Sequence, residues 1–235
     1  MKYAWEELLN KFSITYSNPN HYEQAFTHSS FSNEKSHKVH LERLEFMGDA
    51  VCQLFVSELV FEAFGDVPEG QLTLLRSNLV SEKGMYKIAK SLDLGKYVYL
   101  GIGEEKNNGR ERVSLLADLV ESFIGAIFLD TDINTTRRVV REIFTPYLKD
   151  LSLEDLMDYK SKLQEYVQAD SKRSVHYKTI DSYGPDNDPT YVVEVYLEDI
   201  VLGRGVGKSK KQAEKAAAKD ALSKAGTIDD IKKEG

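Results

Sequence analysis

Little in this 235-residue sequence invites disulfide or membrane chemistry. It holds a single cysteine, Cys52, which excludes an internal disulfide, argues against a thiolate metal cage and is compatible with a reducing cytoplasm. Beside Val51 and Leu54, Cys52 reads as core packing. No run of about eighteen apolar residues occurs, so neither a membrane span nor a membrane partner is expected. The opening "MKYAWEELLNKF" is amphipathic and acidic, not a basic patch leading into an apolar core. It predicts no secretory signal, and the expected location is cytoplasmic. Internal repeats and low-complexity tracts are missing too. So is net positive charge: the chain carries −7 at pH 7, which taken globally argues against nucleic acid. The distribution says otherwise. Residues 1–157 carry 17 Lys and Arg against 24 Asp and Glu, whereas residues 158–226 carry 12 against 11, with half of that region's lysines in "GKSKKQAEKAAAK". A whole-chain balance hides a local basic patch, and the patch is what a polyanion meets.

With 41% apolar and 29% charged residues, the composition is that of a globular protein, long enough for one large domain or two modest ones. Through residue 150, apolar residues recur at about 3.6-residue spacing in "EELLNKF", "HYEQAFTH", "LERLEFMGDAVCQLFVSELVFEAF", "LTLLRSNLVSEKGMYKIAKSL", "SLLADLVESFIGAIFLD" and "TTRRVVREIFTPYL". That predicts an all-α domain over 1–150. "GDVPEG" and the polar "GIGEEKNNGRER" read as breaks, the second as a loop outside the core. Residues 151–157 read as a linker. The pattern then changes: "KSKLQEYVQAD" predicts a helix, and "SVHYKTIDSY", "TYVVEVYLE" and "IVLGRGVGK" predict strands around a "GPDNDP" turn. "SKKQAEKAAAKDALSKAG" predicts a last helix, with a Ser209–Gln212 capping box and Gly226 after its end. The expected fold is multidomain, an all-α domain followed by a small α+β (α-β-β-β-α) domain over 158–226 and a polar tail at 227–235.

Within "HLERLEFMGDAV", a helix turning about 100° per residue brings Glu42, Glu45 and Asp49 onto one face. "ADLVESFIGA" likewise sets Asp118 and Glu121 three residues apart on one face. Closely spaced carboxylates on two apolar helices suit oxygen ligation of Mg²⁺, and Mg²⁺ chemistry points to phosphoester hydrolysis through an acidified water. The plainer alternative is a pair of solvated helix faces, with Arg43 neutralising Glu42 or Glu45. Gly48, helix-destabilising by about 1 kcal/mol relative to alanine, marks a close approach of some kind. His28 in "THSS" reads as hydrogen-bonded scaffold rather than a base. Arg110 and Arg112 read equally as phosphate contacts or as solvated loop charge.

"LERLEFMGDAV" closely resembles the hallmark segment of the ribonuclease III family, with methionine where leucine is usual. "AFTHSSF", "PEGQLTLLRSNLV" and "GRERVSLLADLVESFIGAIFLD" resemble further segments of that family, so the resemblance spans nearly the whole chain. By position it implies that Glu45, Asp49, Asp118 and Glu121 are the family's metal-ligating acids, with Asp49 and Glu121 catalytic. Glu42 and Glu69 match two further catalytic acidic positions. Mg²⁺ is the implied cofactor, with Mn²⁺ as a substitute. The resemblance also implies a homodimer in which Phe46 docks into the partner subunit.

Lys208, Lys210 and Lys211 crowd the start of the last predicted helix. Cations there oppose the helix dipole, so they make most sense as phosphate contacts. The region resembles the double-stranded RNA-binding domain, which reads A-form shape and 2′-hydroxyls. By position, Ser161, Gln164 and Gln168 match its minor-groove contacts; without that resemblance a solvated polar helix face is an equal reading. Asn187 stands in the second contact loop where a histidine is common. The expectation is a cytoplasmic, Mg²⁺-dependent endoribonuclease that cuts double-stranded RNA but not DNA. The family implies 5′-phosphate and 3′-hydroxyl ends, two-nucleotide 3′ overhangs, and roles in rRNA maturation and mRNA turnover. A non-catalytic double-stranded RNA-binding protein is the main alternative. A small-nucleotide phosphohydrolase would leave the basic module without purpose.

Overall fold

A computed structural model describes residues 3–35, 39–152, 157–169, 173–185 and 187–224. The Gly226 end cap, the tail at 227–235 and most of the expected linker lie outside the described residues. The chain divides into two compact units, residues 1–156 and 157–235.

The first unit is helical: α1 (Glu6–Lys11), α2 (Pro19–Ala25), α3 (Ser29–Glu34), α4 (Glu42–Ala63), α5 (Glu69–Leu79), α6 (Glu82–Ser91), α7 (Ile102–Lys106), α8 (Val113–Asp130) and α9 (Ile133–Leu148). Its axis is α8, buried along Leu115–Leu119 and Phe123–Ile127 apart from Asp118. It packs against both α4 and α6. Asp132 caps α9 through the N–H groups of Asn134 and Thr135. Arg137–Glu58 and Arg141–Glu62 then pair α9 with the back of α4.

Local periodicity misreads three places. "LTLLRSNLVSEKGMYKIAKSL" is two helices, because Ser81 accepts the Gly84 N–H at 3.1 Å, donates to the Asn78 carbonyl at 2.7 Å and so starts α6 afresh. "GIGEEKNNGRER" is no simple loop. It holds α7 and a 3₁₀ turn at Gly109–Glu111, entered through Asn108 in the left-handed region (φ 56°). Finally, "AFTH" leaves the helix after Ala25, since Thr27 bridges Tyr99 and the His28 N–H reaches the Tyr99 carbonyl, freeing Ser29 to begin α3.

The second unit follows the expected order: α10 (Tyr159–Gln168), an antiparallel sheet β1 (Val175–Tyr183), β2 (Thr190–Leu197), β3 (Ile200–Gly207) in that order, and α11 (Lys210–Ser223). Leu163 and Val167 of α10 and alternate β2 residues Val193, Val195 and Leu197 meet the alanines of α11 in one core. The alanine-rich helix fits because β3 offers glycine opposite it. A Cβ at Gly203 would sit 2.6 Å from the Ala217 carbonyl oxygen, and Gly205 is tighter still.

Candidate active site

Helices α4 and α8 cross where both lack side chains. A Cβ at Gly48 would overlap the Glu121 carbonyl, and one at Gly125 the Leu44 carbonyl. What approaches Gly48 is therefore α8 itself. The crossing decides which carboxylates meet. Glu45 and Asp49 flank Gly48, and Asp118 and Glu121 lie on the α8 stretch that presses against it, with Glu42 one turn earlier on α4.

Their charges act on one another. Burial, then the charges of Asp49, Glu45 and Asp118, push the Glu121 carboxyl up to about 8. Glu45 is raised by burial, then by Asp118, Glu42 and Asp49. Asp118 is raised chiefly by burial, with Arg112 opposing and Glu82 and Glu42 adding. Compensation is scarce. Among the described residues Arg43 forms no ion pair with Glu42 or Glu45, and His40 Nδ1 stands 3.7 Å from Glu42 Oε1. Among the described residues no three acidic, histidine or cysteine side chains converge into a closed cage. The group is an open acidic surface of hard oxygen donors, which fits a divalent cation that keeps water and takes further oxygens from a phosphate. Arg112, the residue before α8 and one of the two loop arginines read equally as phosphate contacts or solvated charge, borders this surface, and Glu82, in the first turn of α6, joins it with no local sequence pattern to announce it.

Glu69 is elsewhere. It is not among the charges acting on Glu45, Asp118 or Glu121. It accepts a hydrogen bond from Thr73 (3.0 Å) and lines a groove of about 430 Å³ with Leu54, Phe61 and Leu72. Phe46 is 78% exposed, and Leu54 (57%) and Phe61 (67%) follow it on α4 at helical spacing. Arg110 is scaffold, donating to the carbonyls of Gly95 (2.9 Å) and Val98 (2.8 Å) and to Glu105. Cys52 is fully buried.

In the second unit, Lys208, Lys210 and Lys211 are exposed around the Ser209 N-cap of α11, whose hydroxyl accepts the Gln212 N–H at 3.2 Å. Lys208 pairs with Asp188 (2.6 Å), beside exposed Asn187 in the β1–β2 connection. Ser161 and Gln168 are exposed on α10, though the Ser161 hydroxyl donates to Asp158 at 2.7 Å. Gln164 is engaged internally: its Oε1 accepts the Val175 N–H (3.1 Å) and its Nε2 donates to the Arg173 carbonyl (3.4 Å), fastening the entry to β1.

Residues 18–148 match the family model described as Ribonuclease-III-like, and residues 159–224 match the double-stranded RNA binding motif. Proteins named Ribonuclease 3 from Bacillus cytotoxicus and Bacillus cereus are each 43% identical over 223 residues, covering 94% of this chain and 91% of theirs. The crystal structure of the nuclease domain of ribonuclease III from Campylobacter jejuni is 36% identical with a TM-score of 0.58, covering 65% of this chain and 100% of that one. A second structure of that domain, described by structural flexibility in a region involved in dimer formation, is 37% identical with a TM-score of 0.57, covering 60% of this chain and 96% of that one.

Proposed function

The chain belongs to the ribonuclease III family, double-stranded RNA endoribonucleases with an RNA-binding module, and on that premise we propose that Glu45, Asp49, Asp118 and Glu121 hold Mg²⁺, with Mn²⁺ as a substitute. The observation that carries this reading is the Gly48–Gly125 crossing, which gathers the acids of α4 and α8; burial and the neighbouring acids push Glu121 up to about 8 there, with Arg112 opposing at Asp118. A bound divalent cation would supply the missing charge and acidify a water for in-line attack on phosphorus. The chain's own part is to hold oxygens rigidly, because the Gly48–Gly125 crossing leaves the two helix backbones no room to slide. Asp49 and Glu121 are the catalytic pair nearest that crossing, and Glu42 extends the acidic surface toward the strand.

The active form is a homodimer. Phe46 is adjacent to Glu45, and the groove beside Leu54 and Phe61 is rimmed by Glu69. Seating Phe46 in a second copy's groove covers the exposed apolar stripe and brings Glu69 to the other copy's acids, which gives Glu69 a role that one chain alone does not. Two such centres each cut one strand, leaving 5′-phosphate and 3′-hydroxyl ends with two-nucleotide 3′ overhangs. The second unit grips the duplex through Lys208, Lys210 and Lys211 on phosphates and through Ser161, Gln164, Gln168 and Asn187 on 2′-hydroxyls, for which Gln164 must exchange its internal bonds. DNA lacks those hydroxyls and is not a substrate. The setting is cytoplasmic processing of rRNA precursors and mRNA.

The test is cleavage of an end-labelled RNA duplex in Mg²⁺ and in EDTA, beside single-stranded RNA and duplex DNA. Mg²⁺-dependent cutting of the RNA duplex alone is expected. Binding without cutting would leave an RNA-binding protein and overturn the endonuclease reading.

A further inference from the structure

One contact beside the acid cluster closes as a hydrogen bond in only one of the two imidazole tautomers. His28 caps α3, its Nδ1 accepting the Ser30 backbone N–H at 3.2 Å. The Ser30 hydroxyl lies 2.8 Å from the same nitrogen and itself accepts the Gly101 N–H at 2.9 Å. With Nδ1 accepting the Ser30 N–H, the neutral ring carries its one proton on Nε2. Burial first, then the Arg112 charge, hold the imidazole below its ordinary value and so favour that neutral form. Nε2 lies 3.2 Å from Nη2 of Arg112, and a guanidinium only donates. In that tautomer two N–H donors face each other. Ser30 pins the ring, and Glu104 holds Arg112 Nη1 at 2.5 Å. Glu104 is itself packed on Gly109 so tightly that a Cβ there would sit 2.7 Å from its Cγ. Facing donors become favourable when one charged acceptor is shared between them.

We infer that His28 Nε2–H and Arg112 form a two-donor clamp for a non-bridging phosphate oxygen of the RNA strand that crosses the acid cluster. This rests on the endonuclease reading above and adds a binding site to it. The location argues for a backbone phosphate. The Leu41 N–H donates to the Thr27 carbonyl at 2.9 Å, which ties His28's neighbour to the residue before Glu42. Arg112 is the N-cap residue of the helix that carries Asp118. The clamp therefore borders the acids on the Glu42 and Asp118 side, with 43% of the Arg112 side chain open to solvent. A phosphate next to the scissile one reaches it, and such a contact offsets the repulsion between RNA and the carboxylates.

The test uses the full chain and three variants: His28→Asn, which keeps an acceptor for the Ser30 N–H but removes the distal donor, Arg112→Gln, and the two combined. Ring ¹⁵N NMR of the free protein should show His28 protonated on Nε2 alone; a proton on Nδ1 overturns the clamp. In Mg²⁺-dependent cleavage of one RNA duplex, each single variant should raise KM about tenfold and hold kcat within about twofold, as for loss of a hydrogen bond to a charged oxygen. The combined variant should lose little beyond either single one, because one donor alone no longer clamps. Arg112→Gln should flatten the salt dependence of kcat/KM by a slope of about 1, and His28→Asn should leave it alone. An unchanged KM, or losses that multiply, overturns the clamp. Failure of the parent to cut would strike the endonuclease reading instead, and the NMR result stands apart from it. If His28→Asn fails to fold, Arg112→Gln and the ring spectrum still decide.

Discussion

Replacing Glu121 with glutamine should destroy activity and yet stabilise the metal-free protein, and the size of the second effect depends on pH in a definite way. The Glu121 carboxyl has an ordinary value near 4.5 and stands at about 8 in the fold. A carboxyl raised on folding binds more protons in the native state, so stability falls as pH climbs from about 4.5 to about 8 and stays low above that. Taken in full, the shift is worth on the order of 5 kcal/mol. Partial exposure and solvent screening reduce it to about 1–2 kcal/mol. Glutamine keeps the shape and removes the charge.

In EDTA, Glu121→Gln should match the parent in Tm at pH 4.5 and exceed it by roughly 2–8 °C at pH 8.5, at about 2–4 °C per kcal/mol for a unit of this size. Mg²⁺ should reverse the order, raising the parent's Tm by mass action and leaving the variant behind. Calorimetry of the two proteins at both pH values, with and without Mg²⁺, is the assay. A Tm difference that is the same at both pH values would refute the electrostatic account. Near-parental cleavage by the variant would refute the ligand assignment.

Three further outcomes are expected. Gly48→Ala drives a methyl into the Glu121 carbonyl and should destabilise the first unit by about 3 kcal/mol, read by urea unfolding; a midpoint equal to the parent's would mean the helices part freely. Phe46→Glu should convert the protein to a monomer in sedimentation and make its Tm independent of protein concentration; an unaltered dimer would remove Phe46 from the interface. Lys211→Ala should weaken duplex binding and reduce the slope of log Kd against log salt by about 1, and an unchanged slope would show that this lysine meets no phosphate.

The acids were legible because helical spacing alone puts Glu42, Glu45 and Asp49 on one face, and Asp118 and Glu121 on another. That the faces meet was legible only as a hint, in a glycine mid-helix. The break at Ser81 was hidden because apolar periodicity runs across it, and only the serine cap interrupts. Residue type also failed to separate twins: Arg110 and Arg112 share a loop, yet one fastens carbonyls and the other borders the acids. His28 and Arg112 are 84 positions apart, so no local pattern could pair them. Gln164 looks like any polar residue on a helix face until the chain returns and Val175 takes its amide oxygen.

The charge distribution explains why two units share one chain. A surface of carboxylates able to attract a divalent cation must repel a duplex that carries one negative charge per about 1.7 Å. Neutralising that surface with fixed lysines would remove the field that holds the cation. The sequence separates the two demands: the acids sit in a first region with 24 acidic against 17 basic residues, while the lysine cluster sits in a second region that is nearly balanced. On the proposed reading, RNA affinity would come from the second unit without weakening the acidic field of the first. On the same reading, a bound cation and the His28–Arg112 clamp would offset the remaining repulsion where the strand is cut.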